Sequence, residues 1–443
     1  MMKESGIDWI GNIPNEWKIK KIKYELKYRV EKNNPILSKN ILSLTAKQGV
    51  IPLEEKEGGG NKPKDDYSAY HLAYPGDIVM NSMNILSGSV GLSKYFGCVS
   101  PVYYMLRPID ELKDVRYYNY IFQTSVFQNS LLGLGNGILI KESESGKYNT
   151  IRMRIPADKF GRLYIPVAPI DEQKQIADYL DEKCSEIDAL IEGVNEEIDT
   201  LNSYKHSLIT EVVTKGLDDS CEMKASDTEL IKFIPTQWSV SKVKYLFETS
   251  KGLPITKADL IESGLPVISY GQIHSKNNTG VNVDQELLRF VEDIYKDMYP
   301  KSKVEKYDFV FADTSEDYDG CGNCVYKRDD SELYAGYHSI ILKSKEKKDN
   351  RYLAYLFKTD IWRKQVRQKA SGVKVYSVTK SILLNSTVIL PPDNEQQEIA
   401  NYLDDKCGII DEIIATDKQK IEKLNQYKKS LIFEYVTGKK QVI

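Results

Sequence analysis

EQKQIADYLDEKCSEIDALIEGVNEEIDTLNSYKHSLITEVVT, residues 172–214, returns without a gap as EQQEIANYLDDKCGIIDEIIATDKQKIEKLNQYKKSLIFEYVT at residues 395–437. The offset is 223, and 23 of the 43 positions are identical, among them Gln173/Gln396, Tyr179/Tyr402, Cys184/Cys407 and Asp188/Asp411. Shared helical composition would not place charged, aromatic and thiol identities together in this way, so the chain contains a duplication. Apolar residues of the first copy follow a 3-4 spacing through Leu180, Cys184, Ile187, Ile191, Ile198, Leu201 and Leu208. Leu403, Cys407, Ile410, Ile414, Ile421, Leu424 and Leu431 fill the same slots in the second, with Asp417 the one acidic intruder. Both stretches are therefore predicted as long heptad helices.

A fully buried Leu or Ile contributes about 1.5–3 kcal/mol, so a seam left open to water would forfeit on the order of 10 kcal/mol. The two helices are thus expected to pair. The chain has no long return linker, so the second helix is expected to run back along the first. That gives an antiparallel pair with a pseudo-two-fold axis and a C-terminus near the first domain. Some 44 helical residues would span roughly 65 Å, the rise of about 20 base pairs of B-form DNA.

Working outward, the repeat continues more weakly. Ile13-Pro14-Asn15-Glu16-Trp17, followed by Lys21, Lys23 and Tyr24, is echoed by Ile234-Pro235-Thr236-Gln237-Trp238 with Lys242, Lys244 and Tyr245. Looser echoes pair GDIVMN (76–81) with YDFVFAD (307–313), and YIFQTSVFQ (120–128) with YLFKTDIWR (355–363); Gly137 stands beside Gly372. The order is domain, helix, domain, helix: 1–168, 169–216, 217–391 and 392–443. Short Val/Ile/Tyr-rich runs such as VYYMLRP and YHSIILKS, bounded by Gly, Pro, Asn and Asp, predict strands, and helices are expected at 115–131 and 350–368. The fold class is α+β: two mixed α/β domains separated by two long antiparallel coiled-coil helices.

Charge divides along the same lines. Net charge is +6 over residues 1–165, −8 over 166–216, +1 over 217–390 and −2 over 391–443, within a total of −3. Acid sits on the helices and leaves the globular parts neutral to basic, which suits phosphate contact by local patches without proving it. Six cysteines in 443 residues are too few for a secreted disulfide scaffold. No apolar run reaches the roughly 18 residues needed to cross a bilayer, and residues 1–14 lack a signal peptide's apolar stretch, so the expected location is the cytoplasm.

Catalytic patterns are missing. The chain contains no GxxxxGK[ST] phosphate loop and no [DN]-P-P-[YFW] motif for holding a target amine; Leu390-Pro391-Pro392-Asp393 resembles the latter only superficially. Pro169-Ile170-Asp171-Glu172-Gln173-Lys174 could pass for a nuclease motif, but its repeat copy has Gln397 in place of Lys174 and the segment opens a helix. Cys321-Gly322-Asn323-Cys324 could hold half a zinc site, yet no second ligand pair follows. His71, His206, His274 and His338 are scattered. No catalytic centre and no metal site are expected.

A diverged domain ending in a Pro-containing strand, then an EQxxIxxxLD helix, then the whole unit again, resembles the specificity subunits of type I restriction-modification systems. The resemblance covers essentially the full chain. It rests on Pro169 to Gln173 with Ile176 to Asp181, on Pro392-Asp393-Asn394-Glu395-Gln396 with Ile399 to Asp404, and on the paired IPxxW segments. Gly76-Asp77-Ile78-Val79, Thr314-Ser315-Glu316-Asp317 and Tyr337-His338-Ser339 are similar to landmarks of that family's target recognition domains. The resemblance implies a non-catalytic subunit whose two domains each read half of a bipartite, asymmetric double-stranded DNA target, with helix length setting the gap. It also implies partners: two methyltransferase subunits and two restriction/translocase subunits, with S-adenosylmethionine, ATP and Mg held by them rather than by this chain.

Long polar loops rich in Asn, Ser, Thr, Gln, Lys and Tyr carry the groups that base-edge and phosphate hydrogen bonding require. By loop position the candidate DNA contacts are Ser43, Thr45, Lys47, Gln48, Asn81, Ser82, Asn84, Ser87 and Asn136 in the first domain. In the second they are Tyr270, Gln272, His274, Lys276, Thr314, Ser315, Lys374 and Tyr376. The competing reading is a coiled-coil adaptor whose duplicated domains bind protein.

Overall fold

Both heptad stretches are helices, Ile170–Lys215 and Asp393–Val436. The computed structural model describes residues 1–45, 48–56, 63–132, 134, 141–142, 148–149, 154–218, 220–226, 228 and 231–442. Contacts gather the chain into two units, Met1–Asn195 with Lys418–Ile443, and Glu196–Asp417. Each unit therefore holds one domain, the start of one long helix and the end of the other.

In the first unit the helix segments run antiparallel: the Tyr179 and Tyr435 rings lie 4.6 Å apart and Lys428 Nζ reaches Asp188 at 2.6 Å. In the second, Lys205 Nζ reaches Asp411 at 2.5 Å, while the end of the first helix meets the start of the other at Gly216 and Glu395. Lys205 and Lys428 occupy seam positions, and each turns its ammonium out to a carboxylate on the facing helix, which accounts for the Lys and Asp identities in both copies. Leu180, Cys184, Ile187, Ile198, Leu403, Cys407, Ile410, Ile414 and Leu431 are buried; Ile191, Leu201, Leu208, Ile421 and Leu424 are half-buried. Asp417, also buried, has an Oδ2 with no hydrogen-bond partner among the described residues.

The domains share a four-stranded antiparallel sheet with one strand order. In the first unit it is Leu26–Arg29, Tyr103–Pro108, Ile78–Asn81, Val90–Leu92; in the second it is Phe247–Lys251, Ser339–Ser344, Phe309–Ala312, Cys324–Tyr326. The strand entering each domain pairs with the strand leaving it: Lys18↔Val167 through Lys21↔Tyr164, and Ser239↔Leu390 through Lys242↔Thr387. Chain entry and exit thus sit together at the root of the long helix. Elsewhere the domains differ. The second adds a three-stranded sheet, Arg289–Val291, Leu265–Ile268 and Tyr334–Ala335, with one parallel pair. The first has two antiparallel pairs, Leu42–Thr45 with Gly49–Pro52 and His71–Ala73 with Gly97–Val99, joined by a parallel bridge between Ile41 and Cys98.

The helices expected at 115–131 and 350–368 are each two helices, Val115–Gln123 with Ser125–Ser130 and Arg351–Lys358 with Asp360–Arg367. The breaks fall at Thr124 and Thr359, which are extended and accept hydrogen bonds from the Phe127 and Trp362 amides at 3.4 and 3.3 Å. A threonine oxygen offers the amide an alternative to the helical ladder, so the chain restarts there with a new N-cap. The restart folds Phe127 and Trp362, both fully buried, into the two cores.

Candidate nucleic-acid interface

What holds each domain to its helices is duplicated almost bond for bond. Trp17 and Trp238 are buried, and their indole nitrogens donate to Glu172 Oε2 at 2.8 Å and Glu395 Oε1 at 3.0 Å. Gln173 and Gln396 donate to the carbonyls of Ala168 and Pro391. Tyr117 donates to the carbonyls of Pro166 and Val436, and Tyr352 to those of Ile389 and Val213, which fastens the end of the returning helix. That end turns at Gly438 (φ +68) and Gly216 (φ +85), where a Cβ would meet Pro14 at 2.3 Å and Glu395 at 2.9 Å. Arg116 pairs with Asp114, Asp178 and Asp181, and Tyr120 donates to Asp181. Arg351 correspondingly pairs with Asp349 and Asp404, and Tyr355 donates to Asp404.

Against this common frame, the loops of the second unit bring several of the candidates together. Tyr270 lies 5.5 Å from His338, 5.6 Å from Tyr337 and 6.3 Å from His274, each edge to face. His274 Nε2 is 2.8 Å from the Thr314 carbonyl, which can only accept, so Nε2 donates; Nδ1 faces Asn323 Nδ2 at 3.0 Å. Both ring nitrogens are thereby used, and His274 positions the loop rather than reaching outward. His338 stands at φ +51 with an exposed ring whose Nδ1 lies 3.3 Å from Asp313 and 3.4 Å from Thr314 Oγ1. Thr314 and Ser315 pair with Ser377 and Tyr376 as short strands, and Tyr376 packs 5.6 Å from Tyr318. Lys276 and Lys374 are exposed, while Gln272 Oε1 closes a turn by accepting from the Ser269 amide.

The first unit's candidates are more scattered. Gln48 is exposed at the turn between Leu42–Thr45 and Gly49–Pro52, and Thr45 shapes that turn by accepting from the Gln48 amide at 3.0 Å. Asn84 is exposed, and Asn81 accepts from the Met83 amide. Ser87 lies in the short helix Ile85–Ser87, its side chain outside the described residues, as are Lys47 and Asn136 altogether. Three candidates need correction. Ser43, Ser82 and Ser315 are buried, and the last two spend their hydroxyls on the carbonyls of Val102 and Asp317. Loop position alone did not distinguish a serine that closes a loop from one that faces out of it.

Sequence reasoning marked Tyr337-His338-Ser339 as a landmark but passed over the lysines at this face. A cleft of about 430 Å³ is lined by Lys251, Asp313, His338, Ser377, Thr379 and Lys380, and one of about 650 Å³ by Lys251, Tyr299, Lys301 and Lys380. Burial, and then the Lys251 ammonium, hold Lys380 below the usual lysine range, a state that an anion placed in the cleft would relieve. Val373 is 92% exposed in the turn between Ser371 and Ser377. The lysines are far apart in sequence and only the fold collects them; the GYHS run at 336–339 was the available signal for His338.

Cys321 and Cys324 are buried free thiols, and burial pushes Cys324 up to about 12. Among the described residues no group of three or more His, Cys, Asp or Glu could hold a metal ion, and no helix is long and apolar enough to cross a membrane.

Residues 235–426 match the family described as Type I restriction modification DNA specificity domain. The chain is 28% identical over 287 residues to the "Type I restriction enzyme MjaVIII specificity subunit" of Methanocaldococcus jannaschii, covering 64% of this chain. That alignment spans 63% of the relative, just under two thirds of its length. Identity is 25% over 375 residues to the "Putative type I restriction enzyme MjaX specificity subunit" of the same organism, covering 83% of this chain and 73% of that one. Among solved structures, a chain from "Structural basis underlying complex assembly and conformational transition of the type I R-M system" superposes with TM-score 0.67 at 12% identity, covering 96% of this chain and 98% of that one. At that identity the likeness concerns the fold.

Proposed function

We propose that the chain is a specificity subunit of the type I restriction-modification family, whose DNA specificity domain residues 235–426 match, and that it reads a bipartite, asymmetric double-stranded DNA target, one half per domain. The observation that carries this reading is the pairing of a repeated frame with unlike loops. Trp17–Glu172 and Trp238–Glu395 repeat one docking geometry, whereas the cluster of Tyr270, His274 and His338 rings has no counterpart among the described residues of the first unit. Two copies of one scaffold presenting different donors and acceptors suit a target whose halves differ.

The chain supplies recognition and positioning, not chemistry. Two methyltransferase subunits and two restriction/translocase subunits would bring S-adenosylmethionine, ATP and Mg. The helices offer two equivalent places for identical partners: Leu190 and Tyr427 are 57% and 56% exposed, and their repeat equivalents Ile413 and Tyr204 are 42% and 58% exposed. As a ruler, the helices would set the gap between half-sites. A seven-residue insertion in both keeps the heptads in phase and adds about 10 Å, which lengthens the gap by about three base pairs.

The test is duplex binding by the reconstituted complex as a function of salt. A reader of DNA gives a steep linear fall of log K with log salt. A complex that assembles but shows no such binding would be a protein adaptor instead.

A further inference from the structure

Buried positions keep their identity across a duplication because packing demands it; an exposed tyrosine needs another reason. Lys21-Ile22-Lys23-Tyr24 and Lys242-Val243-Lys244-Tyr245 occupy equivalent one-turn helices, Ile22–Glu25 and Val243–Leu246. Ile22 and Val243 are fully buried, which explains their apolar character. Tyr24 and Tyr245 are 63% and 65% exposed, and Lys23 Nζ and Lys244 Nζ lie 4.9 and 5.1 Å from the neighbouring ring centres. Residue type, exposure and geometry are thus all repeated at a surface that neither core touches.

The surroundings point to an anion. In the second unit the turn borders a cleft of about 870 Å³ whose lining includes Lys242, Lys244, Tyr245, Lys364 and Lys369 and, among the described residues, no carboxylate. None of these lysines, nor Lys21 or Lys23, forms an ion pair among the described residues. A lysine ammonium is a compact charge that tolerates variable geometry, and a tyrosine hydroxyl donates well to phosphate oxygens. The loops differ between units while this turn does not, so its ligand is one that does not change with base sequence.

We propose that the Lys-x-Lys-Tyr turn of each unit is a clamp for the sugar-phosphate backbone of duplex DNA, one per half-site, which adds affinity without base preference. This rests on the chain being a DNA reader. The experiment compares the wild-type complex with K23A/Y24A, K244A/Y245A and the fourfold variant, on target and on random duplex across a salt series. All four side chains are exposed, so the fold should survive, and unchanged circular dichroism and complex mass check that. The slope of log K against log salt should fall by roughly 0.9 for each lysine that meets a phosphate, equally on both duplexes, with the preferred bases unchanged. A wild-type slope retained in the fourfold variant would overturn the clamp, as would a loss confined to target DNA. Weakened assembly without DNA would hand the surface to an acidic protein partner and also overturn it. A wild-type complex that fails to bind DNA would instead remove the reading beneath it.

Discussion

Trp17 Nε1 donates to Glu172 Oε2 at 2.8 Å, joining the first unit's opening segment to the first turn of the helix that leaves it. Burial raises the Glu172 carboxyl above its usual range and the indole bond opposes that, so losing the acceptor leaves a buried N–H with no partner. Hydrogen bonds to charged groups contribute about 1.5–3 kcal/mol. Glu172→Ala is expected to cost about 2 kcal/mol, and Glu395→Ala a similar amount through Trp238. Urea unfolding of each variant, followed by tryptophan fluorescence, checks both.

That bond also shows what sequence could and could not reveal. IPxxW and EQ were each legible as repeated motifs because they recur; that they hold each other depends on the exit strand pairing with the entry strand. The seam was legible because a 3-4 period has few structural explanations. The Thr124 and Thr359 breaks were not, since an apolar helical pattern continues across them and only the cap geometry interrupts it. Loop residues were the least legible: Gln48 and Asn84 face outward while Ser82 and Ser315 close their own loops, a difference set by backbone path rather than residue type.

Asp404 and Asp181 are repeat equivalents with unequal burial. Asp404, 21% exposed, accepts from Arg328, Arg351 and Tyr355. Asp181 is 46% exposed, and Arg116 also holds Asp114 and Asp178. Removing one partner of a largely buried ionic cluster strands the others, whereas an exposed pair is screened. Asp404→Ala should therefore cost about 3 kcal/mol and Asp181→Ala about 1 kcal/mol, as read from denaturation midpoints at equal slope. Equal losses would show that burial is not the deciding factor.

Acid should act on the first unit through Glu25, which is fully buried with Lys20, Lys113 and Tyr118 around it. Burial alone would raise its pKa, but those three partners outweigh burial and hold it below 4.5. The folded value lies under the unfolded one, so its contribution is complete above 4.5 and is lost as pH falls through the folded value. Asp308 of the second unit works oppositely: burial raises it above 3.8 despite bonds from the Ser344 and Glu305 amides. Its contribution is greatest below 3.8 and is lost as pH rises through the folded value. Glu25→Gln should be less stable than wild type at about pH 6, and the gap should narrow toward about pH 3. A gap constant across that range would contradict the assignment.

Tyr270 and His338 face one another on the second unit at 5.5 Å. If this surface reads bases, Tyr270→Ala and His338→Ala should weaken discrimination in one half of the target by about 1–3 kcal/mol per lost contact and leave the other half untouched. Binding to duplexes randomised in one half at a time measures this. Relaxed preference in both halves would mean that the cluster supports the complex generally.

The central claim, two unlike readers on one repeated frame, is tested most directly by mapping every methylated adenine in DNA modified by the reconstituted complex. The account predicts one motif of two different short sequences separated by a fixed unread gap. A single contiguous motif, two identical halves, or methylation without any motif would contradict it.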